Sequence, residues 1–410
     1  MSIFRTKLGG CAVMNGQSTS GFFPSKPFSD PSKLHGKGHK KAFYDSLELL
    51  KRGQDIVILG PRAIGKTSLA KCLGKAYSLD NSTVAVYLNL AGIKDMKNLS
   101  KHMKGAIVSL YSRLSGKKTK SIRNVSVIIA PKFPKAPWLE FFRLQLGLST
   151  ASDNLMDKLP EDFSQLVLLL PDNALVIFDE VQEMKQRKKF QEGLWRALNE
   201  REDVRFIFTG SFSGVVKELL SRGRQARMYY RNPRKVYLWP WDERDVLLYL
   251  QNGYIMCRKV YPQKFTVPND LELAWEASKV YEKLGGIPGI ISTYANYRCP
   301  PYNYSVEKAI EEAIGDAVEK ARAELENIIK SRKSPCTYAK VIASLSQGPT
   351  NWSYIAKSTG LGDGSVQEVL EVLSKEFFIV IRQEKGGYRL INAVYETAAK
   401  EINIKKFCKD

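Results

Sequence analysis

The sequence predicts an α/β protein: a parallel β-sheet with helices on both faces, a helical domain after it, and a small helix-rich domain at the C-terminus. Three observations carry this. Short, wholly apolar runs (IVIL, VAVYL, ALVIF, VRFIF) alternate with stretches of helical spacing. Strands that lack a polar face belong to a sheet covered on both sides. After Leu238 helical periodicity takes over, and after Pro335 the order becomes helix, helix, turn, helix and two short strands.

In chain order, residues 1–35 are rich in Gly, Ser, Pro and Phe without a period, and read as an irregular or partly disordered lead-in. Lys40 to Arg52 has helical spacing, Asp55–Leu59 is an apolar strand, and Thr67 to Ala76 continues as a helix. Thr83–Leu90, Ala174–Phe178 and Val204–Phe208 are further strands, the last two separated by a helix around Gln191–Asn199. WPWDERDVLLYLQNG offers Asp242 as an N-cap and predicts a helix to Asn252, with Gly253 as its stop. Helices are expected over Leu271–Leu284 and Val306–Ile329, and the RKSP segment, Arg332–Pro335, reads as a hinge. The domains predicted are therefore a lead-in at 1–35, a nucleotide-type α/β domain at 36–239, a helical lid at 240–332 and a C-terminal domain at 333–410. Within the last, Cys336–Ser346, Asn351–Ser358 and Ser365–Ser374 are helices, and Phe377–Arg382 and Tyr388–Asn392 form a hairpin across Lys385-Gly386-Gly387. That order is a winged helix–turn–helix.

The chain has 410 residues, enough for more than one core, and its 44% apolar and 26% charged residues are a globular composition. No apolar run is long enough to span a membrane, and the first residues lack a signal-type apolar core, so a cytoplasmic protein is expected. The six cysteines (Cys11, Cys72, Cys257, Cys299, Cys336, Cys408) form no CxxC pair, which argues against zinc and favours free thiols. The net charge of +21 is unevenly spread: residues 1–150 hold 25 Lys/Arg against 7 Asp/Glu, the remainder 38 against 35. Lys101 to Pro137 contains no acidic residue, with Lys117, Lys118 and Lys120 at its centre. Such a strip attracts phosphate backbones by counterion release, which makes DNA an expected partner.

The chemistry concentrates in four places. GPRAIGKTS (Gly60–Ser68) satisfies G-x-x-x-x-G-K-[ST], entered by a strand and left by a helix. In that pattern the loop Gly60, Pro61, Arg62, Ala63, Ile64, Gly65 and the helix start Lys66, Thr67, Ser68 cradle a triphosphate. Lys66 supplies charge for the terminal phosphates and Thr67 a hydroxyl for Mg²⁺. LVIFDEVQE then gives Asp179 at a strand tip as the second Mg²⁺ ligand, and Glu180 as the base for the attacking water. The strand VRFIF ends in Thr209-Gly210-Ser211, where Thr209 or Ser211 would sense the phosphate. SRGRQARMYYRNPRK holds Arg222, Arg224, Arg227, Arg231 and Arg234, any one of which could stabilise charge on the transferred phosphoryl group.

With these motifs the chain resembles the archaeal ATPase family, in the STAND branch of P-loop ATPases and related to AAA+ proteins. The matching elements are GPRAIGKTSL (Gly60–Leu69), IFDEVQ (Ile177–Gln182), FTGS (Phe208–Ser211), YYRNPRKVYLWPW (Tyr229–Trp241) and KLGGIPG (Lys283–Gly289), followed by the winged helix. The resemblance implies an ASCE/AAA+-like P-loop NTPase fold, with Arg231 facing the nucleotide and Pro288 near the adenine. The family usually carries an Arg-Glu pair before the first helix; here that stretch reads HGKGHKKAFYD.

The expected function is an ATP- and Mg²⁺-dependent switch with Glu180, Lys66, Ser211 and Arg231 as catalytic residues. A homo-oligomer or a protein partner is admissible. Two other readings stay open: a DNA-binding, replication-initiator-like regulator that uses ATP as a ligand, and a chaperone-like or scaffold ATPase. The third C-terminal helix exposes Ser365, Gln367, Glu368, Glu371 and Lys375, with two glutamates that disfavour phosphate contact, while Arg382, Lys385 and Arg389 lie at the hairpin.

Overall fold

A computed structural model describes residues 23–24, 26–116, 124–147, 155–185, 187–210, 233–383 and 386–408. Ser211, Arg231, Lys117, Lys118, Lys120 and Lys385 lie outside the described residues.

The sheet has six strands in the order β3-β2-β4-β5-β1-β6. These are β1 (Ile56–Leu59), β2 (Val84–Asn89), β3 (Val125–Ile129), β4 (Leu175–Asp179), β5 (Arg205–Thr209) and β6 (Arg234–Tyr237). Every pairing is parallel except β2 with β3, so the expected parallel sheet carries one antiparallel edge strand. The two edge strands escape a pattern search for a physical reason. Each is partly exposed, and RKVY in β6 buries only Val236, so neither shows the unbroken apolar run of an interior strand.

Helices α1 (Lys37–Lys51), α2 (Lys66–Asp80), α3 (Met96–Leu114), α4 (Lys135–Leu146), α5 (Leu155–Lys158), α6 (Phe163–Leu168) and α7 (Arg187–Glu200) accompany the sheet. Side chains alternate along each strand and divide between two cores. Ile56 and Ile58 of β1 join α1, α2 and the later helices, while Val57 and Leu59 join α3, α6 and α7. Where β4 and β5 adjoin, Phe178, Phe206 and Phe208 stack with centroids 5.6 to 6.2 Å apart, fixing the register that brings Asp179 and Thr209 together.

The helical region comprises α8 (Glu243–Val260), α9 (Asp270–Leu284), α10 (Pro288–Arg298) and α11 (Val306–Lys330). Asp242 caps α8 as expected, its side chain accepting from Asp245 N. The stop expected at Gly253 does not occur; α8 runs on to Val260. Gly253 instead makes room for Phe23: a Cβ there would come within 2.0 Å of the Phe23 ring. Phe23, in the lead-in, is buried against Tyr249 and Tyr254. It is tied to α10 by Ser292 Oγ donating to Pro24 O at 2.8 Å and Asn296 Nδ2 to Phe23 O at 3.2 Å.

The last region contains α12 (Pro335–Leu345), α13 (Trp352–Thr359), α14 (Asp363–Lys375), the antiparallel hairpin β7 (Val380–Arg382) and β8 (Tyr388–Leu390), and α15 (Ala393–Lys400). Strand β7 starts later than expected because Phe378 adopts a left-handed backbone, φ 59°, which turns its ring onto Tyr237 and Trp239 at the sheet edge. Asn392, expected as the end of a strand, caps α15, a helix without a sequence forecast.

One further expectation changes. Cys336 and Cys408 form a disulfide, linking α12 to the chain end across 72 positions. Free thiols are correct for Cys72, Cys257 and Cys299, all buried. In the segment expected as a hinge, Arg332 Nη1 donates to Glu376 at 3.4 Å, and the guanidinium lies 4.6 Å from the Phe377 ring centroid. Among the described residues, no helix is long and apolar enough to cross a membrane.

Candidate functional site

Strand β1 delivers the chain at Gly60 to a loop, Pro61–Gly65, that ends at the N-terminus of α2. The Lys66 ammonium folds back on this loop, donating to Gly60 O at 2.8 Å and Pro61 O at 2.9 Å. Burial lowers its pKa, opposed by the carboxylates of Glu180, Glu324 and Asp179 in that order. His39 of α1 is buried beneath the loop and donates Nε2–H to Ile64 O at 2.8 Å, since a carbonyl can only accept. Burial lowers the His39 pKa, keeping the ring neutral in its native place.

Because β5 lies between β1 and β4, the tips of three strands converge beside Lys66. Asp179, at the tip of β4, is buried and surrounded by hydroxyls. Thr67 Oγ1 donates to both its oxygens (2.9 and 3.1 Å), Tyr87 Oη to Oδ2 at 2.6 Å, and Thr209 Oγ1 to Oδ1. Tyr87, from β2, was not foreseen; its pKa is pushed up by burial and by the neighbouring Asp179 charge. Lys71 sits 4.3 Å over its ring. Glu180 adopts a left-handed backbone (φ 59°, ψ 45°), with N–H donating to Thr209 Oγ1 at 3.3 Å and its carboxylate accepting from Gln182 Nε2. Ala63 in the loop is also left-handed, φ 60°. Such conformations cost about 1–3 kcal/mol each and persist where the surroundings impose them.

The loop opens into a cleft of about 650 Å³. The lining includes Arg62 to Ser68 and Glu180 at one end, and residues of the lead-in, α8, α10 and α11 around the remainder. Pro288 lines the cleft as the first residue of α10, and Gly289 N donates to Ala63 O at 3.0 Å. A side chain at Gly289 would press within 2.9 Å of the Ala63 Cβ, so α10 rests directly on the loop. Beside it, His35, Trp241 and Tyr249 form an aromatic wall with centroids 4.7 to 5.1 Å apart. Burial pushes the Tyr249 phenol up to about 12. Trp241 Nε1 is buried without a hydrogen-bond partner, a donor left over in this wall. No motif announces the wall, but its location follows once Trp241 of WPW meets GGIP: Trp241 N donates to Gly286 O at 2.9 Å.

Gly60 to Ser68, Asp179, Glu180 and Thr209 thus come together, and Pro288, named above from the resemblance, lines the same cleft. The described residues of the basic strip differ in exposure. Lys101, Lys132 and Lys135 are exposed, whereas Lys104 is buried against Glu161 at 2.5 Å. Thr67 and Asp179 are hard oxygen donors side by side, which suits Mg²⁺ held jointly by protein and phosphate rather than by a closed cage. Among the described residues, no group of three or more His, Cys, Asp or Glu forms such a cage.

No protein-family model matches the chain, and no curated protein matches it in sequence. Solved structures match in fold. The Walker-type ATPase PABY2304 of Pyrococcus abyssi superposes with a TM-score of 0.65 at 18% identity, covering 92% of this chain and 99% of that one. The ORC2 protein of Aeropyrum pernix, solved as ADPNP–ADP complexes, gives 0.51 at 15% identity, covering 90% and 96%. The likeness is one of fold: a mostly parallel sheet flanked by helices with a helical C-terminal region, as in AAA+ P-loop ATPases.

Proposed function

We propose that the chain binds and hydrolyses ATP and uses the cleft as a nucleotide-dependent switch between the α/β and helical parts. The observation that carries this is the convergence of Lys66, Thr67, Asp179 and Glu180 at one end of a cleft whose other wall comes from the helical part. Lys66 would exchange the carbonyls of Gly60 and Pro61 for phosphate oxygens, a stronger, charge-assisted partner. Thr67 and Asp179 would hold Mg²⁺, which supplies charge neutralisation for the phosphoryl group. Glu180 would take a proton from water once Gln182 releases its carboxylate. Ser211 or Thr209 would report the terminal phosphate, Arg231 would stabilise developing charge, and Pro288 with the aromatic wall would hold the base.

The test is Mg²⁺-ATP turnover and ATP binding measured on the same protein. General-base removal typically costs about 10²–10⁴-fold in rate. Glu180→Gln should lose turnover on that scale while ATP still binds; unchanged turnover would refute the assignment.

A second reading adds DNA. The N-terminal excess of positive charge supports it, with exposed Lys101, Lys132 and Lys135. The helix–turn–helix order with its hairpin, which we read as a winged helix, is consistent with DNA or with protein as a partner. At α14, Lys375 is paired with Glu371 at 2.6 Å, which takes one cation from any phosphate grip there. Duplex binding that weakens steeply with salt would favour DNA; ATPase activity indifferent to DNA, with no retention on it, would favour a protein partner or a scaffold role.

A further inference from the structure

The described part of the lead-in, residues 23–24 and 26–35, begins and ends on one ring. The Phe23 centroid lies 5.2 Å from that of Tyr249, and the His35 centroid 5.1 Å from it. Between these ends the chain reaches across to the α/β part. Phe28 O accepts from Cys72 Sγ of α2 at 3.9 Å, and a 3₁₀ turn, Pro31–Lys33, packs on the same helix. Asp30 caps that turn, accepting from Ser32 N at 3.1 Å, and Leu34 is buried after it. With Phe23 and Pro24 held by α8 and α10, the segment is fastened to both walls of the cleft. Compact loops whose ends lie close are frequently functional.

Helix α8 is shaped to receive this segment. A glycine inside a helix is less stable than an alanine there, yet Gly253 stands where a Cβ would lie 2.0 Å from two atoms of the Phe23 ring. The segment also brings charge. Lys26 and Lys33 are exposed and line the cleft, and among the described residues neither is in an ion pair. Their charge is left to attract a polyanion.

We propose that this segment is a strap that retains the bound nucleotide, with Phe23 as its pin in α8 and Lys26 and Lys33 as its contacts to the nucleotide's negative charge. The proposal rests on the nucleotide reading above and adds a binding element that lies outside every motif. While the pin is seated, the two walls of the cleft are joined and the nucleotide leaves slowly. When the pin lifts, the walls are free to part. Differences of this kind appear mainly in the release rate.

Release of radiolabelled Mg²⁺-ADP from the full chain, chased with unlabelled ADP and followed by rapid filtration, tests this. Gly253→Ala favours the helix but displaces the ring, and should speed release on the order of tenfold, the scale of losing one anchor. Its single-turnover hydrolysis rate should stay near wild type, which damage to the phosphate end would not allow. Lys26→Ala with Lys33→Ala should speed release roughly fivefold at low salt, the scale of two exposed charge contacts, and less as salt rises. Lys26→Arg with Lys33→Arg, which keeps both charges, should stay near the wild-type rate. If Gly253→Ala folds poorly, the alanine pair, altered only at the surface, decides alone. Release within twofold of wild type in Gly253→Ala or in the alanine pair overturns the strap, as does a single-turnover rate that drops in Gly253→Ala as release quickens. A wild-type chain that retains no ADP overturns the nucleotide reading itself, and that outcome shows before any variant is made.

Discussion

The two ends of the cleft are built by opposite strategies. At the phosphate end, Gly60 to Thr67 are consecutive, and the backbone of one loop does most of the shaping. At the aromatic end, His35, Trp241, Tyr249 and Pro288 come from segments separated by some 250 positions and meet only through tertiary packing. The first end should tolerate changes elsewhere in the fold and fail when one of its own residues changes. The second should behave the other way, each residue contributing little while the junction that assembles them contributes much.

Substitution at each end gives the sharpest contrast. Lys66→Ala should remove turnover and weaken triphosphate binding by at least about 100-fold, the scale of losing a desolvated charge-assisted contact. Tyr249→Ala should weaken binding by roughly fivefold, an aromatic contact of about 1 kcal/mol, and leave turnover at saturating ATP near wild type. Equal losses by calorimetry and steady-state kinetics would break the comparison.

The next effect tests the junction. Gly286 has φ +69°, and a Cβ there would lie 2.1 Å from Trp241 O, while Gly285 would strike Ile391 O at 2.6 Å. Gly286→Ala should destabilise the protein by about 2–4 kcal/mol, read as a lowered Tm, and should weaken nucleotide binding without touching a motif residue.

The smallest effect is a pH dependence at the phosphate end. Burial holds the native His39 pKa below 6.5, despite raising contributions from the Ile64 carbonyl and Asp245, with His35 adding to the lowering. Above pH 6.5 the ring is neutral in both native and unfolded chains and contributes nothing. As pH falls below 6.5 the unfolded chain takes up a proton that the native ring resists, so stability is lost until the native pKa is passed. Thermal unfolding between pH 7.5 and 5 should therefore fall less in His39→Gln than in wild type; parallel curves would exclude this role.

Legibility in the sequence follows the same division. The phosphate loop, Asp179-Glu180 and the interior strands were readable because their chemistry and burial are local in sequence. Tyr87 was not, because its hydroxyl meets Asp179 only through the pairing of β2 with β4. Gly253 misled because a glycine that ends a helix and one that admits a neighbouring ring are the same letter. The disulfide was missed because spacing along the chain says nothing of two sulfurs brought together from 72 positions apart. Ser211 and Arg231 lie outside the described residues, so their roles rest on the sequence motifs.

The Phe23–Gly253 contact has a practical consequence for anyone shortening the protein. A chain begun near residue 36 would keep every recognisable motif and the whole sheet. It would also leave a ring-shaped notch open on α8 and strip Pro24, Phe28, Leu34 and His35 from the cleft. A shortened chain has to keep Phe23, a requirement that homology to the motifs would never mark.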